Sequence, residues 1–215
     1  MEEYTSPDYS KIALVTIDVQ NDTMPGGSME VKGTKEVLPE IIKLLALFRA
    51  QGRLVIHIVR LYEEDGTNVD LCRRRSIENG MKALITHSKG AQLVDGLAPE
   101  GVKLDSTRLL SGEVQRAGTN EYIMYKSRWG AFYKTPLEGF LRGNGITTLA
   151  FTGCNFPNCP RTSIYEASER DFKVVVVQDA ISGIYEQGLN ELRNIGCEMV
   201  GTHQLITKLK SATAH

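Results

Sequence analysis

The sequence predicts a single α/β domain, residues 1–215, with a three-layer α/β/α fold built on a doubly wound, mainly parallel sheet of six strands. Short apolar runs alternate along the chain with helix-length amphipathic segments, which is the pattern of βα units. A length of 215 residues suits one domain. The contents of 41% hydrophobic and 24% charged residues are typical of a soluble globular protein.

The strands follow from the apolar runs, taken in chain order. The first contains IALVTI and the fifth contains VVVV, which are suitable lengths for strands buried in a parallel sheet. The predicted strands cover residues 12–18, 54–60, 122–126, 148–153, 173–178 and 198–201.

The helices lie between these strands. VLPEIIKLLALFRAQG, residues 37–52, carries apolar residues at helical spacing and ends in glycine, which predicts the first crossover helix. Further helices are predicted at residues 135–142, 159–171 and 187–196. Residues 62–120 are less regular, and we expect them to form a lid or an oligomer contact.

Composition excludes several classes of protein. The formal net charge of -1 provides no field that would attract nucleic acid. The longest apolar runs fall far below the ~18 residues that a membrane span requires. The start of the chain, MEEYTSPDYSK, lacks the basic start and apolar core of a secretory signal. We therefore expect a cytoplasmic protein with no nucleic-acid or membrane partner.

Three chemically capable side chains are predicted to meet at one edge of the sheet. Ligands of doubly wound sheets bind beyond the carboxyl ends of the strands, where the strand order reverses. Asp18 ends the first strand, Lys126 ends the third, and the fourth runs into GCNFPNC, which ends at Cys159. Asp18 is either a turn or capping residue or a general base, and Lys126 either a solvated charge or part of a site.

The two cysteines of GCNFPNC are expected to differ. Pro160 favours the start of a helix, so Cys159 lies at a helix N-terminus, where the dipole favours a reactive thiolate. Cys154 directly follows the strand and is expected to pack as a small hydrophobe. A metal site is disfavoured because C-x4-C is not a zinc-knuckle spacing and the four histidines are scattered. A disulfide is disfavoured by the compartment, although a transient one remains an alternative.

These motifs resemble those of the isochorismatase-like cysteine hydrolases, a family that includes nicotinamidases, N-carbamoylsarcosine amidohydrolase and biuret and ureidoacrylate hydrolases. The resemblance covers most of the chain: IDVQND, a lysine in YKSRWGAF, T-G-x5-C followed by a helix, and VVVVQDA. It implies a catalytic triad of Asp18, Lys126 and Cys159. It also implies a cis peptide from Cys154 to Asn155, and an oxyanion hole made by the backbone N–H groups of Asn155 and Cys159.

The sequence departs from the family in two places. GCNFPNCP has Phe156 and Pro157 where small residues are usual, which bears on loop shape and substrate fit. RLYEEDGTNVDLCRRR stands where nicotinamidases have a D-x-H metal segment, so we expect no metal and no cofactor. The side chains expected to line the substrate pocket are Tyr62, Asn68, Trp129 and Phe156. Core packing is the alternative for Trp129.

The resemblance implies hydrolysis of a C–N bond in a small amide or ureido compound through a Cys159 acyl-enzyme, since isochorismatase proper uses no cysteine nucleophile. It also implies a homodimer or homotetramer. Two alternatives remain open: a non-catalytic or isochorismatase-type member of the same fold that binds a small molecule, and a redox protein that uses Cys154 and Cys159.

Overall fold

In the computed structural model, which describes residues 3–212, a seven-stranded sheet forms the middle layer of the protein. The strand order is β3-β4-β2-β1-β5-β6-β7, and every pairing is parallel except that of β3 with β4. The strands are β1 (Ile12–Ile17), β2 (Val55–Val59), β3 (Gln115–Gly118), β4 (Glu121–Tyr125), β5 (Thr148–Gly153), β6 (Lys173–Ile181) and β7 (Glu198–Val200).

Helices cover both faces of this sheet. They are α1 (Thr34–Ala50), α2 (Leu71–Glu78), α3 (Ser106–Leu110), α4 (Leu137–Gly143), α5 (Cys159–Ser168), α6 (Glu186–Asn194) and α7 (Thr202–Ala212). Short 3-10 turns lie at Glu3–Thr5, Tyr9–Lys11 and Asn21–Thr23. Among the described residues, no helix is long and apolar enough to span a membrane.

The alternation of side chains along β1 produces the three layers. Val15 and Ile17 pack in one apolar cluster with residues of α4, α5 and α6, whereas Ile12 and Leu14 pack in another with residues of α1 and α7. Each residue of β1, β2 and β5 is buried, as expected for central parallel strands covered on both faces. The predicted three-layer α/β fold is therefore confirmed.

The sheet has one strand more than the six predicted. The additional strand, β3, reads QRAG, lies at the sheet edge, and is half exposed. A polar strand of four residues leaves no apolar run, so the hydrophobic pattern could not reveal it. Helices α2, α3 and α7 were also not predicted. Of the predicted helices, α1 begins three residues earlier than expected, and α5 ends at Ser168 instead of continuing to residue 171.

Residues 62–120 pack against the β2–β4 side of the sheet and contain α2, α3 and β3. Small apolar clusters anchor the segment, one of them formed by Tyr62, Val69 and Leu84. The buried amide of Gln20 also holds it, because Nε2 donates to the carbonyl oxygens of Arg60 and Ala91. The function of this segment as a lid or an oligomer contact stays a prediction.

The order in which strands are added to the sheet reverses at β1. β2 and β4 follow on one side of β1, and β5, β6 and β7 follow on the other. The carboxyl ends of β1, β2, β4 and β5 therefore lie next to one another, at the position where ligands of doubly wound sheets bind. The candidate site lies at this edge.

Candidate active site

Asp18 leaves the end of β1 in a left-handed backbone conformation, with φ of 54°. Its N–H still donates to the carbonyl oxygen of Ile58, at 2.9 Å, so the residue is held at the sheet edge. Its side chain is buried, and Oδ2 accepts a hydrogen bond of 2.8 Å from Nζ of Lys126. The carboxylate therefore faces the site and caps no helix.

Lys126 directly follows β4 and is fully buried. Its N–H continues the strand ladder by donating to the carbonyl oxygen of Val59 at 2.9 Å. Its ammonium pairs with Asp18 and also lies 3.4 Å from the carbonyl oxygen of Arg128. A solvated surface lysine is thereby excluded. Removing one partner of such a buried pair typically costs about 3 to 5 kcal/mol, because the other charge is left uncompensated.

One oxygen of Asp18 is unused. Among residues 3–212, Oδ1 is buried and has no hydrogen-bond partner. Buried polar atoms are nearly always paired, so an unpaired carboxylate oxygen suggests a function. Oδ1 is available to accept a proton, while Oδ2 stays bound to the lysine.

Cys159 is the first residue of α5, followed by Pro160 in the first turn, and only 4% of it is exposed. Burial and the charge of Asp18 raise the pKa of its thiol, while the charges of Lys126 and Arg60 oppose that rise. The sequence-based expectation that the helix start favours a thiolate is therefore corrected. Desolvation is the largest of these effects and outweighs the nearby cations, so the raised pKa favours a thiol that requires a base.

The loop between β5 and α5 contains a cis peptide bond between Cys154 and Asn155. The Cys154 thiol is buried, donates to the carbonyl oxygen of Asp18 at 3.1 Å, and has its pKa raised to about 12, chiefly by burial. The amide N–H of Phe156 donates to the carbonyl oxygen of Ser182. Within the described part of the chain, the N–H groups of Asn155 and Cys159 donate to no acceptor. Two backbone donors of the loop that leads to Cys159 are thus free.

Arg60 is a site residue that the sequence analysis did not identify. It follows β2, is 1% exposed, and its guanidinium Nη2 lies 3.7 Å from Sγ of Cys159. Burial alone disfavours the charged form, but Asp18, Tyr62, Cys159 and Asp70 together raise the pKa of Arg60, so it remains a cation. The rule that selected Asp18 and Lys126 would also have selected this charged residue, since it directly follows the apolar strand VIHIV.

The four predicted pocket residues have different surroundings. The guanidinium groups of Arg60 and Arg73 lie 5.6 and 4.4 Å from the ring centroid of Trp129, and that of Arg60 lies 5.9 Å from the ring centroid of Tyr62. The side chain of Asn68 stabilises the loop that contains it, because it forms hydrogen bonds with backbone groups of Leu61 and Glu63 and with the Tyr125 hydroxyl.

Phe156 does not line a pocket, which corrects that expectation. It is 0% exposed and belongs to the apolar cluster between the sheet and α4, α5 and α6. Its ring packs edge to face on Tyr185, with centroids 5.4 Å apart. The motif NFPNC places Phe156 in the loop that ends at Cys159, which predicted a pocket residue, but its ring packs into the core.

The ends of the strands carry ion pairs and thiols. Across residues 3–212, no three side chains of histidine, cysteine, aspartate or glutamate are grouped as metal ligands. The four cysteines, Cys72, Cys154, Cys159 and Cys197, are free thiols.

Comparisons with known proteins show which proteins this chain is similar to. A family model described as the Isochorismatase domain matches residues 12–204. A probable inactive nicotinamidase of Arabidopsis thaliana is 32% identical over 199 residues, which are 89% of this chain and 93% of that protein. A ureidoacrylate amidohydrolase of Methylobacterium radiotolerans is 30% identical over 186 residues, which are 78% of this chain and 65% of that protein.

The fold has also been observed in solved structures. The crystal structure of an isochorismatase family protein from Desulfovibrio vulgaris is similar, with a TM-score of 0.77 and 31% sequence identity. The match covers 95% of this chain and 99% of that one. The similarity therefore extends over nearly the whole fold.

Proposed function

The chain belongs to the isochorismatase family, and we propose that it is a cysteine hydrolase that cleaves a C–N bond of a small amide or ureido compound. The observation that carries the proposal is the buried Lys126–Asp18 ion pair beside Cys159. It supplies an unpaired carboxylate oxygen next to a sulfur that is protonated at rest. A base and a nucleophile are thus adjacent.

In the first half of the proposed reaction, Oδ1 of Asp18 takes the proton of the Cys159 thiol, and the sulfur attacks the substrate carbonyl carbon. The carbonyl electron pair moves to oxygen, which accepts hydrogen bonds from the free N–H groups of Asn155 and Cys159. Removing one such donor typically costs about 3 to 4 kcal/mol of barrier.

In the second half, Asp18 gives its proton to the leaving nitrogen, the C–N bond breaks, and ammonia or an amine departs from a thioester. A water then attacks the thioester while Asp18 accepts one of its protons. The C–S bond breaks, the acid is released, and the proton returns to the sulfur. Throughout the cycle, Lys126 compensates the changing charge on Asp18.

The substrate is proposed to be compact and polar. Cys159 and Asp18 are only 4% and 6% exposed, so a bulky acyl group would not reach the sulfur without displacing its neighbours. The relative from Methylobacterium radiotolerans is a ureidoacrylate amidohydrolase, which favours ureido compounds and amides of similar size. Trp129 remains the proposed wall, since its ring lies against Arg60 and is partly exposed, whereas Tyr62 is 1% exposed and packs with Val69 and Leu84.

We also propose a cytoplasmic homodimer or homotetramer in which residues 62–120 form the contact. Helix α2 in this segment has no buried residue, and its Leu71 is 79% exposed. Light scattering on the purified protein measures the assembly, and Leu71→Asp is expected to shift it toward a monomer.

A second candidate function is binding of a small molecule without catalysis. The observation that favours it is the relative from Arabidopsis thaliana, a probable inactive nicotinamidase at 32% identity. A binding protein would retain the fold and the buried charges, but it would release no ammonia from any substrate.

The deciding experiment measures ammonia release from a panel of small amides, carbamoyl compounds and ureido acids. Cys159→Ala should abolish turnover. Cys154→Ala is the matched control, since it removes a second buried thiol of the same loop and should leave most of the activity. Equal activity of the two variants would contradict the proposed nucleophile, and turnover of no compound would favour the binding function.

A further inference from the structure

We propose that Arg60 is a fourth catalytic residue, which donates a hydrogen bond to the sulfur of Cys159 when the thiol loses its proton. Asp70 is the positioning residue that holds the guanidinium in place. This inference rests on the proposed cysteine chemistry, and it assigns a function to a buried ion pair that the triad does not include.

The distance between the two groups supports a direct interaction. Nη2 of Arg60 lies 3.7 Å from Sγ of Cys159, which is a hydrogen-bonding distance for sulfur. A thiol sulfur is only a weak acceptor, whereas a thiolate accepts a charge-assisted hydrogen bond. The interaction therefore strengthens as the nucleophile forms, which is the condition for an effect on rate.

The guanidinium is fixed before the reaction begins. Nη1 donates to Oδ2 of Asp70 at 2.7 Å, and Nη2 donates to the carbonyl oxygen of Arg128 at 2.6 Å. The backbone of Arg60 is held as well, because its N–H donates to Oε1 of Gln20 at 2.9 Å and its carbonyl accepts from Nε2 at 2.8 Å. A preorganised donor needs no reorientation when charge develops on the sulfur.

Asp70 compensates the charge of the arginine. Its Oδ2 accepts hydrogen bonds from Arg60, from the Tyr62 hydroxyl at 2.7 Å and from Nη1 of Arg73 at 2.9 Å. Burial alone raises the pKa of Asp70, but Arg60, the Tyr62 hydroxyl and Arg73 lower it overall, so the carboxylate stays ionised. A buried guanidinium without such a partner would be costly, and Asp70 therefore makes this position possible.

Arg60 is the second cation near Cys159, after Lys126, and it becomes important when the thiol proton moves to Asp18. Asp18, after β1, loses its charge on taking the thiol proton, and the sulfur gains one. The sulfur then faces Lys126 after β4, Arg60 after β2 and the neutral thiol of Cys154 after β5. Two cations surround one new anion, so removal of Arg60 should make the thiolate harder to form.

A purely structural Arg60–Asp70 pair would act differently. It would tie residues 62–70 to the sheet, and its loss would lower thermal stability without changing the chemistry of the sulfur. The titration of Cys159 separates the two functions, because it reads the charge around the sulfur and requires no substrate.

The test measures the rate of Cys159 alkylation by iodoacetamide across pH, in a Cys72→Ala background that removes the exposed thiol. Peptide mass mapping identifies the modified residue. Arg60→Met should raise the midpoint of the profile by about one pH unit, which is roughly a tenfold loss of thiolate below both midpoints. Asp70→Asn should raise the midpoint by less than Arg60→Met does. Arg60→Lys, which keeps a cation at this position, should have a midpoint between those of the wild type and Arg60→Met.

Arg49→Met is the matched control, because it breaks another arginine–carboxylate pair, with Glu121, away from the sulfur. It should lower the unfolding temperature and leave the midpoint unchanged. Unchanged midpoints in folded Arg60→Met and Asp70→Asn would overturn the proposal. If Arg60→Met does not fold, the midpoints of Arg60→Lys and Asp70→Asn decide.

The alkylation profile also separates this proposal from the proposed function. A raised midpoint together with an absence of turnover in the substrate panel would support Arg60 and contradict hydrolysis. Turnover by the wild-type protein together with unchanged midpoints would support hydrolysis and contradict Arg60.

Discussion

Two groups of paired charges lie along the same sheet, and they differ in how completely their hydrogen bonds are made. In the Glu121 cluster (Thr16, Arg49, His57 and Glu121), both carboxylate oxygens and both imidazole nitrogens are paired, at 2.7 to 2.8 Å. In the site cluster (Asp18, Arg60, Asp70 and Lys126), Oδ1 of each aspartate is buried and unpaired among the described residues.

This difference indicates what each cluster does. A network in which every polar atom has a hydrogen-bond partner holds strands together and has no free donor or acceptor for a ligand. A network with an unpaired buried oxygen carries a free-energy cost until a proton or a substrate pairs with that oxygen. An unpaired buried polar atom therefore requires an explanation. The comparison therefore predicts that equal chemical changes in the two clusters have unequal effects: activity is lost in the site cluster, and stability is lost in the Glu121 cluster.

The largest expected effect is that of Asp18→Asn. The amide keeps the shape of the side chain and can still accept from Lys126, but it cannot take the thiol proton. We expect turnover to fall about 10²- to 10⁴-fold, which is the usual contribution of a general base, or further. Steady-state kinetics with the best substrate of the panel measure it.

Glu121→Gln provides the matched control for that variant, because it makes the same carboxylate-to-amide change in the Glu121 cluster. It should keep the turnover number of the folded protein. A variant of Asp18 that is as active as the variant of Glu121 would remove the distinction between the clusters.

The second prediction concerns the acid stability of the Glu121 cluster. Burial alone raises the pKa of Glu121, but hydrogen bonds from Arg49 and His57 bring it down to about 2. A depressed folded-state pKa gives stability that is present above the unfolded value of 4.5 and is lost as the pH falls toward 2. The difference between the unfolded-state and folded-state pKa of Glu121 corresponds to roughly 3 kcal/mol of folding free energy.

Urea unfolding at about pH 7 and about pH 3 tests this linkage. At neutral pH, the wild-type protein should have a larger free energy of unfolding than Glu121→Gln. This difference between the two proteins should shrink in acid. A stability difference that does not depend on pH would contradict the assignment.

A smaller effect is expected at Ser163, which joins the nucleophile helix to the loop after Lys126. Its hydroxyl donates to the carbonyl oxygen of Cys159 at 2.7 Å and accepts from the N–H of Ala131 at 3.0 Å. Ser163→Ala leaves that buried N–H unpaired, which should cost about 1 to 3 kcal/mol of folding free energy. Chemical unfolding measures the loss.

Thr207→Ala controls for the loss of a helical hydroxyl, since its hydroxyl donates to the carbonyl oxygen of His203 at an exposed position. Its effect should stay within about 0.5 kcal/mol. Equal losses in the two variants would show that the loop of residues 127–134 does not depend on Ser163.

The smallest effect is expected for an exposed ion pair. Arg108 and Glu113 lie 3.1 Å apart, with side chains 50% and 59% exposed. Solvent screens such a pair, so Glu113→Ala should change the free energy of unfolding by less than about 1 kcal/mol. A larger loss in urea unfolding would show that exposure does not separate this pair from the two clusters.

The sequence was sufficient to predict the α/β fold and the convergence of Asp18, Lys126 and Cys159, because strand ends follow from apolar runs and parallel strands share one edge. Arg60 ends the second predicted strand and satisfies the same rule, but its burial could not be read from the sequence, since it depends on Asp70, ten positions later. The protonation of Cys159 was also missed, because desolvation is a property of the packed structure and cannot be read from a helix start.

The protonated state of Cys159 also bears on how long the protein remains intact. Peroxides oxidise thiolates far more readily than thiols, and the first product, a sulfenic acid, can proceed to forms that are not reversed. A sulfur that is 4% exposed and whose pKa is raised by burial offers little thiolate to such oxidants. Burial of the sulfur and its raised pKa therefore both protect the nucleophile from irreversible oxidation.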